Sequence, residues 1–493
     1  VRVAAAARVR TLLFGAVASA VTAVAACGDG ADPAAAAASA VSIRTTPALR
    51  PAYRPGIPDY TLRCKRGTPV TVEASVPAGN SVTVDGQQAP AGSSKRDVSL
   101  SPGQAFTFSV NGTSHEVRCA PSDLPMWRVE RHGTPVSQWI AFAPTERENP
   151  PRGAPYNVIA DSWGVPVWWK LEPDAVPTDT TVLPDGTVIW GRLHGPFSHG
   201  GWDHVKLDGT RLPDLDTVGR HADHHDIQLL PNGNHLMIVY EPRRHADLRR
   251  FGGSRDITVL DGVVQEVTPD GHLVWSWSTR GHVRPSETER WRLRRSDSQF
   301  DGKLAVDLVH LNSVQDVGPN LLVSLRNVDA VYLVRRSDGK ILWKLGGVHR
   351  RESLKVKGDR YREKPLDGQH DARMQPDGTV SVHDNGYSGR KRRPRVVRFR
   401  INARTKTARL VQQIRDRKVG HSYCCGNAQR LNASRWLIDW GSRSLIEEVT
   451  RRGKRVLALT LPRKLFSYRA QSVPPGILTR EALQAGMNTM FPR

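Results

Sequence analysis

The sequence is poor in cysteine: its 493 residues contain five, and no two of them form a Cys-x-x-Cys pair. Structural zinc sites are usually built from such pairs, so this absence argues against a zinc-binding domain. Hydrophobic residues make up 39% of the chain, and 13 of the residues are tryptophan, which suffices for sizeable cores. At this length we expect either two domains or one large repeat architecture.

Acidic residues are also in short supply, because 48 Asp and Glu stand against 71 Lys and Arg, a formal net charge of +23. This balance favours anionic partners, such as nucleic acid, an anionic envelope surface, or sulfated or phosphorylated small molecules. No nucleic-acid-binding motif accompanies the charge. We therefore expect no nucleic-acid partner and interpret most of the basic residues as a solvated surface.

Long hydrophobic runs are missing too, except for Leu12 to Ala26 near the start of the sequence. Three arginines precede this run, which is too short for a comfortable membrane span and is typical of a secretion signal. It ends in Val-Ala-Ala-Cys, which resembles a bacterial lipobox and predicts lipidation of Cys27; an ordinary signal peptide with an incidental cysteine is the alternative. We expect a lipoprotein-type signal peptide at 1–27, a flexible tether at 28–44, and an extracytoplasmic, cell-envelope protein lipid-anchored to the membrane.

The other four cysteines form two groups. An exported protein meets an oxidising compartment, in which paired thiols are expected. Cys64 and Cys119 flank a candidate small domain, and we predict that they form a disulfide. Cys424 and Cys425 are neighbours in the sequence, so they either form a strained vicinal disulfide or remain thiols, and the sequence leaves both possibilities open.

Residues 45–122 have the pattern of a small β-sandwich domain. Apolar and polar residues alternate in short runs, such as VTVEA at 70–74 and FTFSV at 106–110. Turn signals separate these runs, including Asp-Gly at 85–86 and Asn-Gly at 111–112. Short alternating strands between such turns are typical of an antiparallel sandwich.

From about residue 125 a longer pattern recurs: a strand, a Pro-Asp-Gly or Pro-Asn-Gly turn, and a second strand. Clear copies are LPDGTVIW at 183–190, LPNGN at 230–234 and QPDGTV at 375–380. A second pattern, a turn followed by a tryptophan-containing strand, lies between them, so that each unit holds two hairpins. The spacing is that of propeller blades rather than of helical solenoids. We predict an all-β protein with a catalytic β-propeller at 125–480 and a C-terminal tail at 481–493.

Three histidines occupy the same point of this repeat. His225, His310 and His370 each stand eight residues before the turn glycine of their unit. Equivalent positions of a closed array converge on one axis, so we expect these imidazoles at one mouth of the central channel. Arg326 ends the strand that returns to this mouth and should lie beside His310. Other units carry threonine or glycine at this position, which weakens the alternative that the histidines are inert strand caps.

Three imidazoles and a guanidinium suit an oxyanion. Arginine offers a fixed fork of donors that matches sulfate or phosphate, and an imidazole either donates a hydrogen bond or attacks as a nucleophile. A metal site is the main chemical alternative, since residues 221–226 contain three histidines and two aspartates. However, an adjacent arginine repels a cation, and no carboxylate occupies the His310 or His370 register. We therefore predict an anion site with no metal.

The motifs around these residues resemble a known family. They are HDxxxLPNGN at 225–234, HxNSV followed by Ser-x-Arg at 310–326, and QHDAR followed by Asp-Asn-Gly at 369–386. In this order they resemble the bacterial arylsulfate sulfotransferases, and the similarity spans roughly residues 125–480. Each motif has modest specificity alone, whereas the ordered set is a strong match.

The resemblance implies a six-bladed propeller that moves a sulfuryl group from an aryl (phenolic) sulfate to a phenolic acceptor, without a nucleotide donor or another cofactor. It implies that His370 is the nucleophile and becomes transiently sulfurylated. It also implies that His225, His310 and Arg326 hold the sulfuryl oxygens, and that Asn312 contributes to substrate binding as an orienting residue.

Two other functions remain open at the level of the sequence. One is a non-catalytic envelope propeller that binds anionic ligands or polymers through its basic face, against which the intact set of three histidines and one arginine argues. The other is a dehydrogenase propeller with a quinone cofactor, for which the sequence shows no evident set of metal-binding carboxylates. Release of a phenol from a chromogenic aryl sulfate distinguishes the sulfotransferase from both.

Overall fold

The computed structural model describes residues 40–146, 155–194, 200–288, 298–300, 303–388 and 392–493. Cys27, the predicted signal peptide and most of the predicted tether lie outside these residues. The described chain is almost entirely β-sheet, and none of its helices is long and apolar enough to cross a membrane. The predicted fold class, a small β-sandwich followed by a β-propeller, is confirmed.

The first domain consists of two facing sheets. In β3 (Val70–Val76) burial alternates residue by residue, so that Val70, Val72 and Ala74 face the core between the sheets. A disulfide joins Cys64 to Cys119 with a Cα–Cα distance of 5.6 Å. The sheet orders are β1 (Ser42–Thr46), β3, β6 (Gly92–Val98), and β2 (Asp59–Arg63), β8 (Thr113–Ala120), β7 (Ala105–Val110), β4 (Val82–Val84), β5 (Gln87–Gln88).

The first half of the propeller consists of three sheets, which we call blades 1 to 3 and give from the channel outwards. Blade 1 is β37 (Ala470–Ser472), β10 (Trp139–Phe142), β12 (Tyr156–Asp161) and β13 (Pro166–Leu171). Blade 2 is β14 (Val176–Val182), β15 (Val188–Leu193) and β16 (Trp202–Val205). Blade 3 is β17 (Ile227–Leu229), β18 (His235–Ala246) and β19 (Ile257–Val267), next to which lie β20 (Leu273–Ser278), β22 (Lys303–Asp307) and β21 (Ser298–Phe300).

Blades 4 to 6 complete the ring of described sheets. Blade 4 is β23 (Leu311–Val317), β24 (Asn320–Leu325), β25 (Ala330–Arg335) and β26 (Ile341–Gly346). Blade 5 is β28 (His370–Met374), β29 (Thr379–Asp384), β30 (Arg395–Asn402), β31 (Thr407–Ile414) and β27 (Lys355–Lys357). Blade 6 is β32 (Asn427–Arg430), β33 (Arg435–Asp439), β34 (Leu445–Thr450), β35 (Arg455–Thr460) and β9 (Arg128–Arg131).

Both ends of the propeller chain close the ring. The late strand β37 is the inner strand of blade 1, and the early strand β9 is the outer strand of blade 6. Two exchanges of this kind remove the free edges that an open array would leave. The remaining described elements are the strand pair β11 (Thr145–Glu146) and β36 (Leu465–Phe466), and the 3-10 helices Arg249–Phe251, Pro285–Glu287 and Arg326–Val328.

Glutamine side chains fasten neighbouring inner strands to each other. The amide of Gln315 in blade 4 accepts from the N–H of Met374 at 2.6 Å and donates to its carbonyl at 3.3 Å. Gln429 in blade 6 does the same to Ser472, at 2.6 and 3.0 Å. Because each amide replaces a strand-to-strand hydrogen-bond pair, the inner strands keep a common register around the channel.

The segment 481–493, which we expected to be a tail, is mostly helical. Most of it lies in the helix α1 (Arg480–Met490). Thr479 caps the first turn of this helix, because its Oγ1 accepts from the N–H of Ala482 at 3.1 Å. Leu483 and Met487, one turn apart, are buried against blade 1. Polar contacts then reach the sandwich, through Asn488 to Arg118 at 2.8 Å, so that the helix joins the two domains.

Candidate active site

The three predicted histidines meet at one mouth of the propeller channel. His225 stands just before β17, His310 directly precedes β23, and His370 begins β28. The Nε2 atoms of His225 and His310 are 3.1 Å apart. The ring of Tyr468 lies 5.6 Å from the His225 ring and 6.5 Å from the His370 ring. The common register of the repeat therefore corresponds to a common place in the fold.

Arg326 lies beside His310, as the strand register requires, since its N–H donates to the His310 carbonyl at 3.0 Å. Its side chain is only 9% exposed, and the guanidinium carbon lies 4.8 Å from the centre of the Tyr387 ring. Nη2 donates to the Tyr423 carbonyl at 2.9 Å and Nη1 to the Asn327 side chain at 3.1 Å. These contacts hold the planar cation against an aromatic face, a geometry that a lysine would not reproduce.

Carboxylates back two of the three imidazoles. Asp223 lies 2.5 Å from Nδ1 of His225, and Asp307 lies 2.5 Å from Nδ1 of His310. A carboxylate only accepts, so both Nδ1 atoms carry hydrogens. The two Nε2 atoms lie 3.1 Å apart, within hydrogen-bond distance of each other. Burial alone would raise the pKa of Asp223, but the neighbouring His225 and His224 lower it to about 2, which keeps this carboxylate charged.

His370 has a different set of partners. Its Nδ1 donates to the side-chain oxygen of Asn385 at 2.9 Å and to the Gly368 carbonyl at 3.1 Å. Its Nε2 accepts from the backbone N–H of Cys425 at 3.2 Å. Burial, followed by the positive charge of Arg326, lowers the pKa of His370 well below its ordinary value. The imidazole is therefore neutral, with its lone pair on Nε2.

The loop at residues 422–426 contacts both His370 and Arg326. It contains a disulfide between Cys424 and Cys425, which is one of the two states that the sequence left open. Cys425 has a φ of 68°, a left-handed conformation that is uncommon outside glycine and that is often found at functional sites. Through Tyr423 and Cys425 this loop supplies one backbone partner to the guanidinium and one to the imidazole.

Asn312 does not face the mouth directly. It is fully buried, and its side-chain N–H donates to the carbonyl of Gln369 at 2.7 Å, next to His370. The carbonyl of Asn312 accepts from Arg469 at 2.6 Å. Its position therefore suits an orienting residue that holds the backbone before His370 and leaves direct substrate contacts to other groups.

The aspartates that follow two of the histidines hold the blades together. Asp226 accepts from the N–H of Val314 in blade 4 at 2.7 Å, and Asp371 accepts from the N–H of Ala428 in blade 6 at 2.9 Å. Arg469, which is fully buried, lies 2.7 Å from Asp226. This network forms a charged floor beneath the mouth. The aspartate that follows each of these two histidines thus links its own blade to the next one.

One cluster of the described residues has side chains of the kind that bind metal ions. It consists of Asp223, His224 and His225, whose candidate ligand atoms lie within 4.8 Å of one another. Asp223 already accepts from the backbone N–H and the ring of His225. Burial and the nearby His225 lower the pKa of His224 to about 3. Contrary to the sequence argument, carboxylates do lie beside the histidines at this mouth, and at His225 and His310 each one pairs with an imidazole.

Asp307, Asn385 and Tyr468 lie at or directly behind the mouth but have no predicted role there, while Asp223 was considered only for a metal site and Cys425 only for a disulfide. A local signal existed for two of them, because Asp223 precedes His225 by two residues and Asp307 precedes His310 by three. Asn385 belongs to the Asp-Asn-Gly that follows QHDAR in the family motif, and it reaches His370 because β28 and β29 form a hairpin. The motif marked this residue but not its contact.

The protein-family comparison identifies a match. The model of the family described as arylsulfotransferase (ASST) matches residues 203–461, just over half of the chain, and this range contains His225, His310, Arg326 and His370. No curated protein matches the chain.

Solved structures similar to the chain share little sequence with it. A protein of unknown function from Bacteroides caccae has 15% identity, covers 68% of this chain and 98% of its own, and gives a TM-score of 0.40. The periplasmic gluconolactonase PpgL of Pseudomonas aeruginosa has 13% identity, coverages of 68% and 99%, and a TM-score of 0.36. AztD of Citrobacter koseri has 11% identity, coverages of 68% and 98%, and a TM-score of 0.34.

The match to the family model covers most of blades 3 to 6 and includes the three histidines and Arg326 at the mouth. The chain therefore belongs to the arylsulfotransferase (ASST) family.

Proposed function

We propose that this protein transfers a sulfuryl group from an aryl sulfate to a phenol in two steps, through a sulfo-histidine at His370 and without a nucleotide donor. The observation that carries the proposal is the difference in partners at the mouth. His370 is neutral and has its lone pair on Nε2, whereas His225 and His310 each have a carboxylate behind Nδ1, a partner that favours the imidazolium form. A nucleophile and an electrophilic cradle thus stand side by side.

In the first step, Nε2 of His370 gives up its hydrogen bond from the N–H of Cys425 and forms a bond to sulfur, while the bond between sulfur and the aryl oxygen breaks. The electron pair of the broken bond stays on the departing phenolate oxygen. Asn385 and the Gly368 carbonyl accept from Nδ1 and stabilise the positive charge that develops on the ring. In the second step a phenol oxygen attacks sulfur, the N–S bond breaks and its electron pair returns to Nε2, and the phenol proton passes to solvent water.

His225, His310 and Arg326 stabilise the charge on the sulfuryl oxygens. Sulfuryl transfer, like phosphoryl transfer, depends mainly on in-line positioning and on dispersal of oxygen charge. The two imidazoles with carboxylates behind them and the guanidinium would supply N–H donors in a buried setting, where such donors act more strongly than in water. Removal of one such donor typically costs on the order of 10²–10³ in rate.

The test is turnover of a chromogenic aryl sulfate with a phenol acceptor by the wild type, His370→Asn and His235→Asn. His235 is a matched control, because it is also a buried histidine but lies in β18 beside the far end of β17. We expect His370→Asn to lose both turnover and the burst of phenol release, and His235→Asn to retain them.

Two outcomes would contradict the proposal. One is a wild type that binds aryl sulfate but never releases a phenol, which would favour a non-catalytic, anion-binding propeller. The other is an active His370→Asn variant, which would move the nucleophile elsewhere.

We also propose that Cys27 carries a lipid that anchors the protein to the membrane in the cell envelope. The support is the lipobox character of the preceding Val-Ala-Ala. Replacement of Cys27 by serine is expected to move the protein from the membrane fraction to the soluble fraction, and unchanged fractionation would contradict the anchor.

A further inference from the structure

Asn385 is a fully buried side chain that lies between the candidate nucleophile and the loop that touches it. Its oxygen lies 2.9 Å from Nδ1 of His370. Its side-chain N–H groups donate to the carbonyl of Cys425 at 2.9 Å and to the hydroxyl of Ser422 at 3.1 Å. One amide thus joins the ring of His370 to the loop at residues 422–426.

The partners of Asn385 determine its orientation. The Cys425 carbonyl only accepts, so the amide nitrogen must face the loop and the amide oxygen must face His370. The oxygen in turn requires a hydrogen on Nδ1 of His370. On the other side of the ring, the N–H of Cys425 can only donate to Nε2. These constraints independently give the same tautomer, with the lone pair on Nε2.

The contrast with the other two histidines shows why an amide matters at this position. Asp223 and Asp307 occupy the equivalent place behind His225 and His310. A carboxylate stabilises an imidazolium, whereas a neutral amide orients the ring and adds no negative charge. A protonated Nε2 has no lone pair, so a carboxylate behind His370 would oppose nucleophilic attack.

We propose that Asn385 is a positioning residue that fixes the tautomer of His370 without adding the negative charge of a carboxylate, so that the lone pair lies on Nε2, the atom that attacks sulfur. The inference rests on the proposed sulfotransferase function. It adds a residue, outside the set that contacts the sulfuryl group, that decides which of three equivalent histidines is the nucleophile.

Several other titratable or charged groups surround the His370 ring. Arg326 follows β24, His310 and His225 lie on the neighbouring inner strands, and Tyr468 leads into β37. His383, on β29, is the register partner of His370, and burial lowers its pKa to about 4. All of them remain in the Asn385 variants, so a change in the pH profile of these variants reports on the amide.

The experiment compares the pH dependence of the first step, the burst of phenol release, in the wild type, Asn385→Asp, Asn385→Ala and Asn427→Asp. Asn427 is a matched control, since it is equally buried and bonds the backbone of Ala470 in the next blade without touching a site histidine. A carboxylate beside Nδ1 should move the acid limb of the profile upward by about 1–3 pH units.

The two other variants separate positioning from stability. Asn385→Ala leaves the Gly368 carbonyl as the only acceptor for Nδ1, so we expect kcat to fall roughly 10–100-fold with little change in KM. Asn427→Asp should keep the acid limb of the wild type even where its melting temperature falls. A wild-type rate and acid limb in Asn385→Asp would overturn the inference.

A second measurement does not depend on turnover. Nitrogen NMR of ¹⁵N-histidine-labelled protein without substrate, with the His370 signals assigned from their loss in His370→Asn, should show Nδ1 protonated and Nε2 bare. In Asn385→Asp the pH below which both nitrogens are protonated should rise by about 1–3 units. A wild type that turns over no aryl sulfate but shows this tautomer would contradict the proposed function alone. The opposite tautomer in the wild type would overturn the role of Asn385.

Discussion

The two sides of the channel mouth use the same residue type for different chemistry. On one side, His225 and His310 are backed by Asp223 and Asp307, and their Nε2 atoms lie 3.1 Å apart. On the other side, His370 is backed by an amide and a carbonyl. The position in the repeat is equivalent, but the partner at Nδ1 differs, a carboxylate behind two rings and an amide with a carbonyl behind the third. The partner behind each imidazole sets its role.

The largest expected effect comes from replacing the carboxylate behind His310 with an amide, the kind of partner that His370 has. In Asp307→Asn, the His310 ring keeps an acceptor for Nδ1 but loses the negative charge that favours imidazolium. We expect the first step to slow by about 10²-fold at neutral pH. The basic limb of the pH profile should move to lower pH by about 1–3 units, because an imidazolium at His310 loses its proton at lower pH when it has no carboxylate partner.

This shift is opposite in direction to the one expected for Asn385→Asp, so the two variants together test the comparison. Burst kinetics over a pH series measure both. If the profile of Asp307→Asn matches that of the wild type, the carboxylate does not set the charge of the cradle.

A smaller effect is expected at Arg326. Arg326→Lys keeps the positive charge but loses the planar fork that lies on Tyr387 and bonds Tyr423 and Asn327. We expect kcat/KM for the aryl sulfate to fall by about 10–10²-fold with the pH profile unchanged, since no titrating group is altered. Activity and thermal melting are measured together. A wild-type kcat/KM in a folded Arg326→Lys variant would show that a point charge at this position is sufficient for activity.

The smallest effect on rate separates the two disulfides. Opening of the Cys424–Cys425 bond loosens the loop that holds His370 and Arg326, so Cys424→Ser should slow turnover severalfold. The paired change of Cys64 and Cys119 to serine should leave the rate intact but destabilise the sandwich by roughly 2–4 kcal/mol. Kinetics and denaturant unfolding of both variants check this. Equal kinetic effects would mean that the loop does not support the site.

Much of the fold was readable from the sequence because it is local and repeated. The alternating runs at 70–74 and 106–110 form β3 and β7, and the proline–glycine turns close the inner hairpins. The register of the three histidines and the place of Arg326 followed from the same repeat. These predictions needed only the strand period and the turn chemistry.

The remainder depended on contacts between distant residues. The closure of the ring by β9 and β37 joins strands from opposite ends of the propeller chain, and no local pattern marks it. Asn385 likewise becomes a partner of His370 only through a hairpin. The helix α1 was different, since its cap Thr479 and its buried pair Leu483 and Met487 are a readable helical pattern that we treated as a tail.

The most direct test of the central claim is to locate the covalent intermediate. Wild-type protein is mixed with an aryl sulfate in the absence of acceptor, denatured rapidly and digested, and the peptides containing His225, His310 and His370 are weighed by mass spectrometry. We predict one added sulfuryl group on the His370 peptide alone, and its loss on addition of a phenol. A sulfuryl group on the His225 or His310 peptide, or continued turnover with no adduct on His370, would contradict the assignment of roles by the partner at Nδ1.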